Sequence, residues 1–155
     1  MPTKSKELPR VREDLKLEDA QRLLAAHGLK ATPQRVAILE ALRSSKHLTA
    51  EEAQAEAGKT TYVGTTTVYF TLRVLADAGL VEILADSKGR VRYGFAGAPH
   101  VNLECLVCGR IEDYPAPPEG LSGHGSPGWK VHTATVVLRG YCPVCAKAIK
   151  PAGAM

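Results

Sequence analysis

Two Cys-x-x-Cys pairs constrain the fold of this chain more than any other feature of its sequence. They contain all four cysteines of the chain: Cys105, Cys108, Cys142 and Cys145. Two such turns can present four thiolates to one ion, which is how proteins hold tetrahedral structural zinc. A site of this kind has no open coordination position, so it stabilises the fold and performs no chemistry. The sequence therefore predicts one structural Zn²⁺ per chain.

Two disulfides, or a redox-active dithiol, are the alternatives to zinc. Disulfides need an oxidising compartment, and residues 1–17 are charged throughout, without the apolar centre of an export signal. A redox pair needs only one Cys-x-x-Cys and leaves the second unexplained. No apolar run is long enough to span a bilayer. We expect a cytoplasmic protein that has no contact with a membrane.

The composition permits nucleic-acid binding without requiring it. The chain has 155 residues, a formal net charge of +4 and a sequence pI of about 8.9. An ordinary solvated surface would account for that charge equally well. Aromatic residues make up only 5% of the chain, which argues against a protein that stacks single-stranded bases.

The first part of the chain has the element order of a winged helix-turn-helix domain, for which we expect residues 17–95 after a flexible arm over 1–16. Turn and capping residues predict helices over 17–27, 33–42 and 50–57. Thr65 or Thr66 is expected to cap a fourth helix that ends at Ala78. Residues 80–84 and 90–95 predict a hairpin around Asp86-Ser87-Lys88-Gly89.

In such a domain the fourth helix enters the major groove of DNA and the hairpin is the wing. The outward face of the fourth helix would offer Thr66, Thr67, Tyr69 and Arg73 to DNA. Arg35, on the second helix, would contact the phosphate backbone. The wing is basic, with Lys88, Arg90 and Arg92. A small helical domain with a polar face is the alternative.

Both cysteine pairs fall in a second unit, expected over residues 100–155 after a hinge of small residues at 96–99. Residues 101–106 and 131–138 predict strands, and the Pro- and Gly-rich segment 114–128 predicts loop or one short helix. A small zinc-linked sheet has edge strands that can pair with a second copy. The fold class expected is α+β: a winged helix followed by an α/β dimerisation domain with four-cysteine zinc.

Several further motifs stand in a definite order. They are Ala31-Thr32-Pro33-Gln34-Arg35, His47-Leu48-Thr49-Ala50-Glu51, Thr67-Val68-Tyr69, Ala78-Gly79-Leu80, the two cysteine pairs, and Gly128-Trp129-Lys130-Val131. Over residues 17–146 the chain closely resembles the ferric-uptake-regulator family of metal-responsive repressors. The resemblance implies a homodimer that binds a double-stranded DNA operator, a structural zinc on the four cysteines, and a second, regulatory metal between the domains.

The family's regulatory ligands are matched only in part. His47, His100 and Asp113 match, and Asn102 stands where the family usually has a histidine. Gly94 replaces an acidic ligand, Ala134 replaces a histidine of another metal site, and Phe70 replaces an arginine of the recognition helix. These departures alter the sensing and DNA-reading features and leave the zinc pattern intact.

The resemblance and its departures lead to two functional hypotheses. In the first, His47, His100, Asn102 and Asp113 bind Mn²⁺ or Fe²⁺ and the chain is a non-enzymatic repressor in metal homeostasis or the peroxide response. Replacement ligands are sought among His124, His132 and Glu119. In the second, the chain is a zinc-stabilised DNA-binding module that has lost metal sensing.

Overall fold

A computed structural model describes residues 17–45, 47–115, 127–130 and 134–149 of the chain. Its first half contains four helices and a hairpin, in the order of a winged helix-turn-helix. The elements are α1 (Leu17–Ala26), α2 (Pro33–Ser44), α3 (Ala50–Ala57), α4 (Thr65–Asp77), β1 (Val81–Ala85) and β2 (Val91–Phe95). The arm expected over residues 1–16 lies outside the described residues.

Local capping chemistry sets where α2 and α3 begin. The Thr32 side chain accepts a hydrogen bond from the Arg35 amide at 3.3 Å, and Pro33 occupies the first helical position. Thr49 and Glu52 form a reciprocal capping box at the start of α3. Both starts confirm the sequence prediction.

The expected cap of α4 is wrong. Gly64 is its N-cap residue and makes no side-chain cap hydrogen bond, whereas Thr65 is already helical. The Thr65 hydroxyl instead lies 3.4 Å from the Gln54 amide nitrogen, so it links α4 to α3. Thr65 lies one position beyond the cap, inside the first turn of α4.

The helices enclose one apolar core. Val68, Leu72 and Leu75 of α4 are fully buried, as the sequence predicted. They pack against side chains of α1 and α2 that are almost completely buried: Leu24, Ile38, Leu39 and Leu42. At about 25 cal/mol per Å² of apolar surface, this burial is the main force that orients α4 on the domain.

The hairpin is antiparallel, and its register places Glu82 directly opposite Gly94 and Ala85 opposite Val91. Asp86 organises the turn: its carboxylate accepts hydrogen bonds from the Lys88 and Arg90 amides, each at 2.9 Å. The Arg90 and Arg92 side chains donate to the same carboxylate at 2.9 and 3.0 Å.

The second half of the described chain is a three-stranded sheet with a short helix. Its elements are β3 (His100–Cys105), β4 (Ile111–Pro115), β5 (Val137–Gly140) and α5 (Pro143–Ala148), and the strand order is β4-β3-β5. β4 is antiparallel to β3, and β5 is parallel to it.

The sequence predictions for this half were less accurate. The strand expected over 131–138 begins only at Val137 and continues to Gly140, and residues 131–133 lie outside the description. β4 and α5, which are five and six residues long, were not anticipated. Most of the Pro- and Gly-rich segment also lies outside the described residues.

One face of the second sheet packs on the hairpin. Alternate residues of a strand share a face, so His100, Asn102 and Glu104 point the same way. Glu104 accepts a hydrogen bond from the Ser87 amide at 2.7 Å, and Arg139 donates to the Ala85 carbonyl at 3.0 Å. The sheet and the winged helix are therefore in direct contact, and the hinge at 96–99 stays a prediction.

Within the described ranges, no helix has both the length and the apolar character needed to cross a bilayer.

Candidate metal centres and DNA-binding face

The four cysteine sulfurs form one cluster. All four lie within 4.8 Å of one another, and the Sγ atoms of Cys108 and Cys142 are 3.9 Å apart. Four thiolates at zinc–sulfur distances of about 2.3 Å in a tetrahedron would be about 3.8 Å apart. A disulfide instead joins its sulfurs at about 2.05 Å. The cluster thus has the arrangement of a structural zinc site.

Local turns aim backbone amides at these sulfurs. Cys142 is the N-cap of α5, where its sulfur accepts a hydrogen bond from the Cys145 amide at 3.4 Å. The Cys142 amide donates to Cys105 Sγ at 3.3 Å. Gly109, with φ of 76°, allows the tight turn after the first pair.

These amides favour the thiolate form. The Cys142 amide, followed by that of Cys108, lowers the pKa of Cys105 to about 6. The Cys145 amide likewise lowers the pKa of Cys142. The hydrogen bond between the Cys145 and Cys142 side chains raises the pKa of Cys145 to about 12. Thiolates that are already stabilised are the ligands that zinc requires.

A second cluster joins the two halves of the protein. His47 Nε2 lies 2.7 Å from Asp113 Oδ1, although 66 residues separate them in sequence. His47 Nδ1 lies 3.9 Å from Glu82 Oε1, and the same oxygen is 2.8 Å from His100 Nε2. His47 is 2% exposed, and its partners are also largely buried. This interdomain cluster is His47, Glu82, His100 and Asp113.

His47 has an unusual backbone conformation that contacts with neighbouring residues hold in place. Its φ is 44°, and it is the only described residue other than glycine with positive φ. Arg92 donates to the His47 carbonyl at 3.1 Å, and Leu48 pairs with Tyr93 of β2. A conformation of this kind costs energy and persists where its surroundings fix it, commonly at functional sites.

Gly94 gives the His47 ring its space. A Cβ on residue 94 would lie 2.5 Å from His47 Nδ1 and 2.7 Å from its Cε1. The acidic ligand that the resemblance led us to expect at residue 94 has no room here, because the His47 imidazole fills the volume.

Asn102 lies beside the cluster. It is directly opposite Asp113 in the sheet and on the same face as His100. Its amide nitrogen donates to the Val136 carbonyl at 3.1 Å, and the residue is 0% exposed. Its Oδ1 is buried and has no hydrogen-bond partner among the described residues. A buried carbonyl oxygen without a donor is costly and suits a cation.

Three of the four residues expected to bind a regulatory metal thus lie in the cluster, and the fourth lies next to it. Glu82 was missed. The observed register places it opposite Gly94, whereas counting outward from the expected turn at residues 86–89 would pair it with Tyr93. Ala134 provides no ligand, and His124, His132 and Glu119 lie outside the described residues.

The donor set fits a divalent ion of intermediate hardness. Two imidazoles and two carboxylates offer nitrogen and oxygen ligands and no sulfur. Such sets suit Mn²⁺ and Fe²⁺, which accept mixed nitrogen and oxygen coordination. Two carboxylate charges also balance the charge of the ion.

The expected DNA-binding residues of α4 share one exposed face: Thr66, Thr67, Tyr69 and Arg73, together with Phe70. Tyr69 donates its hydroxyl to Glu51 at 2.9 Å, and this hydrogen bond raises the pKa of Tyr69. Arg35 lies apart on α2, where its guanidinium donates to the Lys30 carbonyl at 3.2 Å. The exposure of this face agrees with the predicted DNA contacts, which stay a prediction.

The sheet has an exposed apolar face opposite the winged helix. Leu103 and Leu138 are direct neighbours on adjacent strands, and Tyr114 lies on the same side. Their exposed fractions are 38%, 52% and 62%. Exposed apolar side chains on one face of a sheet favour contact with another protein.

Comparison with known proteins agrees with this arrangement. The sequence model of the ferric uptake regulator family matches residues 26–135. The Peroxide operon regulator of Bacillus subtilis is 36% identical over 137 residues, which are 84% of this chain and 94% of that protein. The Peroxide-responsive repressor PerR of Staphylococcus epidermidis is 37% identical over 106 residues, 67% of this chain and 71% of that protein.

Solved structures give the same result. The Campylobacter jejuni peroxide stress regulator is 27% identical, with a TM-score of 0.62, over 78% of this chain and 94% of that one. The family match covers most of the chain, and the relatives exceed the identity at which a shared family is secure. The chain therefore belongs to the ferric uptake regulator family.

Proposed function

We propose that the protein is a homodimeric, metal-responsive repressor that binds an operator in double-stranded DNA. The family is one of transcription regulators. The relatives named as peroxide regulators support a peroxide response controlled by Fe²⁺ or Mn²⁺. The protein would act in the cytoplasm, and no enzymatic activity is proposed for it.

One observation carries the proposal: the 2.7 Å contact between His47 of the winged helix and Asp113 of the sheet. The residues that would bind a metal in the interdomain cluster come from both halves of the protein. A bound divalent ion would supply a bridge between them and would stabilise one angle between sheet and winged helix. Four sulfurs elsewhere in the chain would hold the structural Zn²⁺.

The angle matters because the dimer presents two copies of α4. Their separation must match two half-sites on the DNA, about one helical turn or a multiple of it apart. A ligand shifts such an equilibrium only by its difference in affinity between the two states. The exposed Leu103 and Leu138 support a dimer formed through the sheet face.

The test measures DNA binding with the metal varied. Zinc-loaded protein is titrated onto an A·T-rich, two-fold symmetric operator at fixed salt, with and without Mn²⁺, Fe²⁺ and added Zn²⁺. We expect Mn²⁺ or Fe²⁺ to raise affinity about tenfold or more, within the usual range of coupling between sites. His47→Ala should abolish that increase and retain zinc. Sequence-blind, weak binding with every metal would refute the repressor proposal.

A specific observation favours the second hypothesis, a module that has lost metal sensing. His47 contacts Asp113 directly, and His100 contacts Glu82 directly at 2.8 Å. Bonds between these side chains hold the two halves together by themselves. On this reading, operator affinity is high and the same with every divalent ion, which the titration above detects.

A further inference from the structure

We infer that Glu82, in the first strand of the wing, is a direct ligand of the regulatory ion and replaces the carboxylate that residue 94 lacks. The inference rests on the proposed function, since it concerns the same interdomain cluster. It adds a ligand from β1 to a site whose other protein groups come from the α2–α3 connection and the sheet.

The position of the carboxylate supports this role. Glu82 Oε1 is 2.8 Å from His100 Nε2 and 3.9 Å from His47 Nδ1. Its side chain is 11% exposed. Ligand atoms of His47, Glu82 and Asp113 all lie within 4.8 Å of one another. Glu82 is therefore central to the cluster, between the histidines of the two halves.

The hairpin register explains why the carboxylate comes from residue 82. Glu82 is directly opposite Gly94, so the two positions face the same side of the hairpin. A side chain at 94 is excluded because its Cβ would meet the His47 ring at 2.5 Å. The neighbouring strand is then the nearest source of a carboxylate on that side.

Asn102 gives a separate indication that the place is built for a cation. Its buried Oδ1 has no donor among the described residues, and the residue lies opposite Asp113. Two carboxylates, two imidazoles and one amide oxygen make an oxygen-rich set. Such a set favours Mn²⁺ and Fe²⁺ over copper and zinc ions, which prefer softer ligands.

The experiment must separate a ligand from a residue that only orients His100, because loss of an outer partner also weakens metal binding by about 10- to 100-fold. Glu82→Cys makes the distinction. Co²⁺ is added to zinc-loaded protein, and the zinc content is measured afterwards. A thiolate bound to Co²⁺ produces a charge-transfer band in the near ultraviolet, and a thiolate outside the coordination sphere does not.

Glu112→Cys is the matched control. Glu112 is adjacent to Asp113 on β4 but lies opposite Leu103, on the other face of the sheet, with a side chain 46% exposed. We expect the band for Glu82→Cys only. Glu82→Gln, which preserves size, should weaken Mn²⁺ binding about tenfold or more.

The outcomes are distinguishable. A wild-type protein that binds no second ion per chain overturns this inference together with metal sensing. A wild type that binds a second ion, with Glu82→Gln as tight as wild type and no band for Glu82→Cys, overturns the inference alone. If Glu82→Cys does not fold, the Mn²⁺ affinity of Glu82→Gln is measured in the wild-type and His100→Ala backgrounds: loss of a ligand weakens binding in both, and loss of a residue that only orients His100 has no effect once His100 is absent.

Discussion

At the scale of single residues, the interdomain cluster depends on one imidazole whose position is fixed from several sides. His47 has a left-handed backbone, its carbonyl is held by Arg92, and its ring contacts Asp113. Gly94 supplies the space for that ring. The departure from the family pattern at residue 94 is thus a packing requirement of this site.

Gly94→Ala tests that requirement. The new methyl group would lie 2.5 Å from His47 Nδ1, so the ring must move and its bond to Asp113 is lost. We expect a loss of about 1–3 kcal/mol in the free energy of unfolding, as for other overpacked sites, and weaker binding of Mn²⁺. Thermal unfolding and a Mn²⁺ titration measure the two effects.

Gly140→Ala is the control for this prediction. A Cβ at residue 140 has no heavy atom within 4 Å, so the variant should be as stable as wild type or slightly more stable. Equal stability of the two variants would contradict the role given to Gly94.

Tyr69 offers a second prediction at this scale. Its hydroxyl is already bonded to Glu51, whereas the ring is 47% exposed on α4. We expect Tyr69→Ala to lose about 1–3 kcal/mol of operator affinity, the value of a good base contact. Tyr69→Phe retains the exposed ring, so its operator affinity should stay within about twofold of wild type. Fluorescence anisotropy with labelled operator measures both variants, and a Phe variant as weak as the Ala variant would assign the contact to the hydroxyl.

At the scale of elements, the wing is organised by a buried charge. Burial by itself raises the pKa of Asp86, but the backbone of Arg90, the Arg92 side chain, the backbone of Lys88 and the Arg90 side chain together lower it well below its ordinary value. The ordinary value is 3.8. A lowered folded-state pKa means that ionised Asp86 stabilises the fold above about pH 4 and that this contribution is lost as the pH falls further.

Asp86→Asn should therefore destabilise the protein by about 2–3 kcal/mol at neutral pH, the value of hydrogen bonds to a charged group. The difference from wild type should be constant above about pH 5 and should shrink below pH 4, where wild type begins to lose the same contribution. Urea unfolding at several pH values measures this. Asp77→Asn, at the exposed end of α4, should not destabilise the protein at neutral pH. A deficit for Asp86→Asn that persists unchanged at low pH would show that charge is not its source.

At the scale of the whole molecule, contacts between residues far apart in sequence join the winged helix to the sheet. Glu104 binds the Ser87 amide at the wing turn, and Arg139 Nε lies 3.3 Å from Glu104 Oε2. Cys105 follows Glu104 directly and ends β3. The zinc site and the wing are consequently attached to the same strand end.

Cys105→Ser should release the zinc and loosen both attachments, because binding of structural zinc is largely folding free energy. We expect less than stoichiometric zinc, dissociation of the dimer and loss of operator binding. Metal analysis and size-exclusion chromatography measure the first two. His100→Ala is the control and should retain zinc and the dimer. A Cys105→Ser protein that remains a zinc-loaded dimer would refute the structural role of the site.

Features governed by short-range chemistry were predictable from the sequence. Thr32, Pro33 and the Thr49–Glu52 box begin their helices because capping involves residues only three positions apart. The α4 core stripe and the hairpin turn follow from local periodicity and turn residues in the same way. The two Cys-x-x-Cys pairs indicated one metal site, since spacing within each pair already fits a shared ion.

Tertiary structure decided what local patterns do not contain. Thr65 does not cap α4, and its hydroxyl accepts a hydrogen bond from Gln54 of another helix, a contact that neighbouring residues do not predict. The role of Glu82 depends on the hairpin register, on the sheet docking against it, and on the ring of His47 filling the space beside Gly94. The sequence by itself determined the four helices and the hairpin of the first half, and that four cysteines meet. Which carboxylates surround the histidines was determined only when the two halves packed together. His47 and Asp113, for example, are 66 positions apart in sequence and in contact in the fold. Such long-range contacts depend on the apolar surface that both halves bury, and local sequence patterns do not contain that information.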